Sequence, residues 1–197
     1  MAASDLAAVE PLSSETTDRE PTRRLGWVIG AGAYAGVALV YLTLSKFGVV
    51  GLGVAWSLAQ LLLVFVACFD FVTHRIPNRV TLPAMVVVLV LRGVFVPETL
   101  PEALIAGAAG FAGFYLLVIV TRGGFGVGDA KLVGLLGLLL GAALLPALLV
   151  GIVAGGVASA IVAVAKPGGR KQAIAYGPYL CFGASLAILA FGPPPLV

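Results

Sequence analysis

The sequence predicts an all-α membrane protein, a polytopic bundle of about seven transmembrane helices. Three observations lead there. The 197 residues are 60% hydrophobic and 11% charged, whereas soluble domains are roughly a quarter charged. Several apolar runs reach the ~18 residues that read as membrane spans. These Leu/Val/Ala/Gly runs lack period-2 alternation, which selects helices over the closed barrel that is the other way to satisfy backbone groups in lipid.

Residues 1–24 hold five of the nine acids, Asp5, Glu10, Glu15, Asp18 and Glu20. Without an apolar stretch they read as a disordered cytosolic tail and not as a signal peptide. Residues 25–197 form the transmembrane domain. A first span is expected over Leu25–Leu44 and a second over Val50–Asp70. The basic loop Thr73-His74-Arg75-Ile76-Pro77-Asn78-Arg79 leads to a short third span, Thr81–Val96, which carries Arg92. Pro97-Glu98-Thr99-Leu100-Pro101 is a tight turn before the fourth span, Glu102–Val120. A fifth span is expected from Lys131 to about Leu145, and Pro146 is read as the break before a sixth reaching Ala165. A final span starts near Tyr179 and ends before Pro193. The total is seven helices, or six if one is re-entrant.

Lysine and arginine accumulate on cytoplasmic loops. Seven spans with the tail inside put Arg19, Arg23, Arg24, Arg75, Arg79, Arg122, Lys131, Lys166, Arg170 and Lys171 on the inner side, and only Lys46 and Arg92 outside. The expected orientation is an amino terminus in the cytosol and a carboxyl terminus outside. The net charge of +3 makes no case for nucleic acid. The cysteines, Cys68 and Cys181, form no CxxC pair and read as packing residues. Pairs such as Gly26/Gly30, Gly32/Gly36, Gly137/Gly141 and Gly151/Gly155 suit close helix approach.

An acid beside hydrocarbon is costly and marks a candidate site. Outside the tail only Asp70, Glu98, Glu102 and Asp129 remain, and the topology sends Glu98 and Glu102 to the outer turn. Asp70 and Asp129 fall at cytosolic span ends, at similar depth on different helices. Two carboxyls sharing a site hold one proton between them, as in aspartic proteases: one acts as base on water and the other as acid toward a carbonyl oxygen. The plainer readings are that Asp129 is the N-cap of the fifth span and that Asp70 pairs with Arg75. Gly126 and Gly128 would allow an extended backbone and close approach of a peptide, or belong to an ordinary flexible loop. Lys131 either acts electrostatically on Asp129 or marks the interface. His74, the only histidine, reads as solvated, and no metal cluster or Ser-His pairing for Ser159 or Ser185 is visible.

Three segments carry a family resemblance. Asp70 followed by Arg75-Ile76-Pro77-Asn78 resembles the first aspartate motif of the type IV prepilin peptidases. Gly126-Val127-Gly128-Asp129-Ala130-Lys131-Leu132 resembles their second, GxGD, motif. Ala175-Tyr176-Gly177-Pro178-Tyr179 resembles a Pro-Tyr-Gly-Pro-Phe-like segment before a late helix, with Ala175 where proline is common. The resemblance implies an aspartic endopeptidase of the inner or plasma membrane that needs no cofactor and no metal. It would cut the basic leader from prepilins or pilin-like proteins at the cytosolic face. Asp70 and Asp129 would be catalytic, with Gly126, Gly128, Lys131, Pro77 and Asn78 toward the substrate. The CxxC domain of long family members is missing, so a short peptidase-only form without N-methyltransferase activity is expected. Two alternatives remain open: a presenilin-like intramembrane protease, which also carries GxGD but favours Tyr where Phe69 stands, and a small transporter or assembly scaffold using the aspartates for a cation or proton.

Overall fold

A computed structural model describes residues 19–49, 51–121, 126–165 and 175–191. Among them the chain is helical, without strands, in seven α-helices: α1 Arg19–Phe47, α2 Leu52–Thr73, α3 Asn78–Phe95, α4 Leu100–Thr121, α5 Val127–Leu140, α6 Leu144–Ala165 and α7 Gly177–Phe191. Short 3-10 turns, Pro97–Thr99 and Gly141–Ala143, precede α4 and α6. Five segments are long and apolar enough to cross a membrane, the last being Val127–Ala165 taken as one 39-residue stretch. That stretch is two helices. Gly141 turns there at φ 58°, ψ −130°, a conformation that glycine adopts without steric cost.

The directions of the helices follow from their contacts. On α6, Ala147 faces Gly183 of α7, and Gly155 faces Tyr176, so the two run antiparallel. Gln60 reaches Ser185, and Asp70 reaches Gly177, so α7 also opposes α2. The α4–α5 pair is antiparallel as well, Glu102 lying at Gly141 and Ala106 at Gly137. The ends of α2, α3, α5 and α7 that bear Asp70, Asp129 and Gly177 therefore gather on one side of the bundle. Gly141 is where the chain turns back from the other side.

At the centre stands α5. Ten of its fourteen residues are buried, from Asp129 to Leu140. Its approach to α4 is close because glycines line the contact: a Cβ on Gly137 would stand 2.5 Å from the Ala106 carbonyl oxygen. Leu63 and Val66 of α2, Phe114 of α4 and Leu180, Ala184 and Ile188 of α7 complete the core around it. The outward faces stay apolar, for instance Ile29, Val90, Ile119 and Val164, as lipid contact requires. Of the glycine pairs singled out in sequence, Gly32, Gly36, Gly137, Gly141, Gly151 and Gly155 sit against a neighbouring helix, whereas Gly26 and Gly30 face open space.

Polar side chains inside the bundle bond mostly to helix carbonyls: Thr43 to Leu39 at 2.7 Å and Ser57 to Gly53 at 2.7 Å. Gln60 Nε2 donates to the Ser185 carbonyl at 3.3 Å, while its Oε1 is buried without a partner. Opposite the aspartates, Lys46 Nζ donates to the carbonyl of Leu189, and the buried Arg92 spans Thr99 and Leu139. Glu102 Oε1 accepts the Ala142 N–H at 2.6 Å. These groups satisfy carbonyls and amides that the ends of α5 and α7 and the two 3-10 turns would leave bare.

Several boundaries differ from expectation. Helix α1 reaches back to Arg19, into the stretch read as a tail; residues 1–18 lie outside the described residues, as do 122–125 and 166–174. Helix α3 starts at Asn78 and not Thr81, because the Pro77 carbonyl already accepts Val80, at 3.0 Å, and Thr81, at 3.1 Å. Helix α5 starts at Val127 and not Lys131, and ends at Leu140. Pro146 does not break the chain; it falls in the first turn of α6, where its missing N–H costs nothing. Two helices are short: α5 with 14 residues and α7 with 15. Their axial lengths are about 21 and 23 Å at about 1.5 Å per residue.

Candidate active site

Asp70 lies one turn before the end of α2. Its backbone carbonyl accepts the N–H of His74, at 2.8 Å, which closes the helix with a left-handed residue at φ 51°. Its side chain points inward and is 4% exposed. Oδ2 accepts the Gly177 N–H at 3.0 Å. Gly177 is the first residue of α7, so this amide has no partner within its own helix.

Asp129 sits in the first turn of α5 and is 9% exposed. Gly126 is the N-cap residue, extended at φ −90°, ψ 151°. Its N–H donates to Asp129 Oδ2 at 2.9 Å, and its carbonyl accepts the Asp129 N–H at 3.0 Å. Asp129 is thus the third residue of the helix and not its N-cap, although its carboxylate does satisfy the cap amide. The pairing of Asp70 with Arg75 does not occur, and neither aspartate has an ion pair among the described residues.

The two carboxylates lie close enough for the charge of Asp70 to act on Asp129. One turn beyond Gly177, the buried Cys181 thiol lies within electrostatic reach of both. Each aspartate commits Oδ2 to one glycine amide and has no further hydrogen bond among the described residues. Gln60 Oε1 is the one fully buried side-chain acceptor left unpaired among those residues. Neither Oδ1 is therefore completely buried, although both aspartates are buried as residues. Each carboxylate also stands at the positive end of a helix dipole, Asp129 on α5 and Asp70 at α7, where negative charge is favoured.

The other predicted residues gather around this pair with different roles. Gly128 is helical and not extended; it is narrow so that Ile76, from the loop after Asp70, can pack on it, at 3.2 Å from where a Cβ would be. Lys131 Nζ donates to Asn78 Oδ1 at 3.2 Å, joining the starts of α5 and α3. Pro77 is the N-cap residue of α3. Gly126 is exposed at the rim, and no three His, Cys, Asp or Glu side chains converge as metal ligands among the described residues.

Tyr176 and Gly177 were not among the predicted site residues. The motif around them was visible in sequence, but a backbone amide that acts 107 residues away leaves no side-chain signature. The Tyr176 hydroxyl donates to the Ile152 carbonyl of α6 at 3.1 Å. Burial, then the charges of Asp129 and Tyr179, push that phenol upward from its ordinary range and keep it a donor.

Against known families, residues 57–164 match the type IV leader peptidase family. The match takes in both aspartates and the GxGD segment and stops short of residues 175–179. No individual curated protein and no solved structure matches the chain significantly.

Proposed function

Because the chain belongs to the type IV leader peptidase family, we propose that it is a membrane-embedded aspartic endopeptidase whose catalytic pair is Asp70 and Asp129. The observation that carries this is the pair of buried carboxylates, each held through one oxygen by a glycine amide, with the other oxygen making no hydrogen bond among the described residues. One carboxyl is ionised and one protonated, because like charges at short range disfavour double ionisation. The ionised member takes a proton from a bound water, whose oxygen attacks the scissile carbonyl carbon. The protonated member gives its proton to the carbonyl oxygen. In collapse of the tetrahedral intermediate, the carboxyl that gained the water's proton passes it to the leaving amine as the C–N bond breaks. The other regains its own proton from the intermediate's hydroxyl.

The substrate is the basic leader of a prepilin or pilin-like protein, cut at the cytosolic face. Support for that face comes from the ten basic residues that the loop assignment puts on the aspartate side, against Lys46 and Arg92 on the other. The amino terminus is then cytosolic and the carboxyl terminus outside. Gly126, exposed beside Asp129, and the Lys131–Asn78–Pro77 corner form the edge along which the extended leader lies. The cleaved protein's apolar helix stays in the bilayer.

The test is to replace Asp70 and Asp129 separately with Asn in the full chain and follow leader removal from a co-expressed prepilin. Each variant should lose at least about a thousandfold in rate, the upper range of what acid–base groups contribute. Cleavage by either at the wild-type rate rejects the dyad.

A further inference from the structure

We propose that the Tyr176–Gly177 turn is a positioning device for Asp70, a role that rests on the reading of Asp70 as catalytic. The two aspartates are oriented by unlike means. Asp129 is held locally, by the amide three residues before it. Asp70 is held from a distance, by an amide of α7 that only the docking of α7 on α2 can bring there. Alignment of the pair therefore depends on where the first turn of α7 is pinned.

That turn is pinned from both sides. On the α2 side Gly177 is buried, and a Cβ there would stand 2.6 Å from Asp70 Oδ2 and 3.0 Å from its Cγ. No other residue fits without pushing the carboxyl away. Pro178 follows, and its ring disfavours a helical conformation in any preceding residue that bears a Cβ; glycine relieves this too. On the α6 side the Tyr176 ring fills the notch left by Gly155, where a Cβ would be 2.7 Å from Cζ. Its hydroxyl reaches the Ile152 carbonyl. The Tyr176 carbonyl in turn accepts the Tyr179 and Leu180 N–H groups at 3.1 and 3.2 Å. The chain of contacts runs from α6 through Tyr176 and Gly177 to the carboxyl of Asp70.

The experiment uses the full-length protein in lipid nanodiscs and a prepilin-like substrate with a basic leader, a glycine and an apolar helix. Gly177→Ala, Tyr176→Phe, Gly156→Ala and Asp70→Asn are compared for kcat, KM and Tm. Gly156 is the control: it lies on α6 beside the Gly155 notch, and a Cβ there would meet nothing within 4 Å. Gly177→Ala should lower kcat about a hundredfold, as ~1 Å misplacement of a reacting group does, with KM within about threefold and a folded melting transition. Tyr176→Phe should lower kcat about fivefold to tenfold, the scale of one hydrogen bond. Gly156→Ala should keep Tm at or slightly above wild type, since alanine is the better helix former, and leave kcat unchanged.

If Gly177→Ala keeps kcat within about threefold while Asp70→Asn is inactive, positioning is rejected and the peptidase reading stands. Should Gly177→Ala fail to fold, an unchanged kcat in Tyr176→Phe rejects it instead. An active Asp70→Asn variant rejects the catalytic reading itself, and the inference falls with it.

Discussion

Replacing Arg92 with Met should destabilise the bundle and leave its chemistry alone. Arg92 is 8% exposed and at the end of α3 opposite the aspartates. Nη2 donates to the Leu139 carbonyl at 2.9 Å; Nη1 donates to the Thr99 carbonyl at 3.3 Å and to Thr99 Oγ1 at 3.1 Å. Glu102 lies within electrostatic reach. One guanidinium thus ties α3, the turn before α4 and the end of α5. Bonds from a charged donor contribute about 1.5–3 kcal/mol each, but removing the buried cation returns several kcal/mol of desolvation. Methionine refills the apolar stem, so a net loss of about 2–4 kcal/mol is expected, mostly from bare carbonyls. For a chain of this size that lowers Tm by roughly 5–15 °C. Arg92→Lys should fall between, since a single ammonium cannot span the same fork. Leader cleavage per folded molecule should be unchanged, because Asp129 lies about 15 Å from Leu139 along the α5 axis at about 1.5 Å per residue. Thermal melting in detergent, followed by kinetics well below Tm, measures both. An unchanged Tm in Arg92→Met refutes the reasoning, as does a tenfold fall in kcat at unchanged Tm.

Two further outcomes follow from buried polar groups. Asp129→Asn retains an oxygen for the Gly126 amide, so its Tm should match wild type, whereas Asp129→Ala should lose an additional ~1 kcal/mol of helix-start stability; equal Tm values for the two would mean the cap bond contributes nothing. Gln60→Leu removes a buried acceptor without a partner, at the loss of one long bond to Ser185, and should raise stability by about 1 kcal/mol; a fall in the denaturation midpoint would show that Oε1 is satisfied in the native protein.

Much of the bundle was legible because lipid leaves few alternatives. Apolar runs between polar loops had to be helices, and with four acids outside the tail Asp70 and Asp129 stood out. What was not legible has specific causes. Gly126-Val127-Gly128 reads as a loop because glycine is a poor helix former, yet the Asp129 cap and the packing of Ile76 on Gly128 start α5 there. Pro146 reads as a breaker because proline in a helix interior is one, but it sits where no amide is needed. The actual turn is at Gly141, whose neighbours in sequence carry no turn signature. Arg92 looked like a marker of the outer surface; its grip on Leu139, 47 residues away, depends on the tertiary fold. Gly177 was hidden for the same reason.

The shortness of α5 and α7 has a consequence for the surrounding lipid. Their far ends are moored by Arg92 at Leu139 and Lys46 at Leu189, both lengths fall short of a hydrocarbon core of about 30 Å, and their near ends carry Asp129 and Gly177. There α6 runs ten residues past Gly155, the level of Tyr176, about 15 Å at about 1.5 Å per residue. Among the described residues, the carboxylates thus lie well below the end of α6. Lipid beside a span as short as α7 thins to match it. For the peptidase proposed above, bilayer thickness is then expected to enter the rate, with short-chain bilayers matching the site and long, saturated ones opposing it.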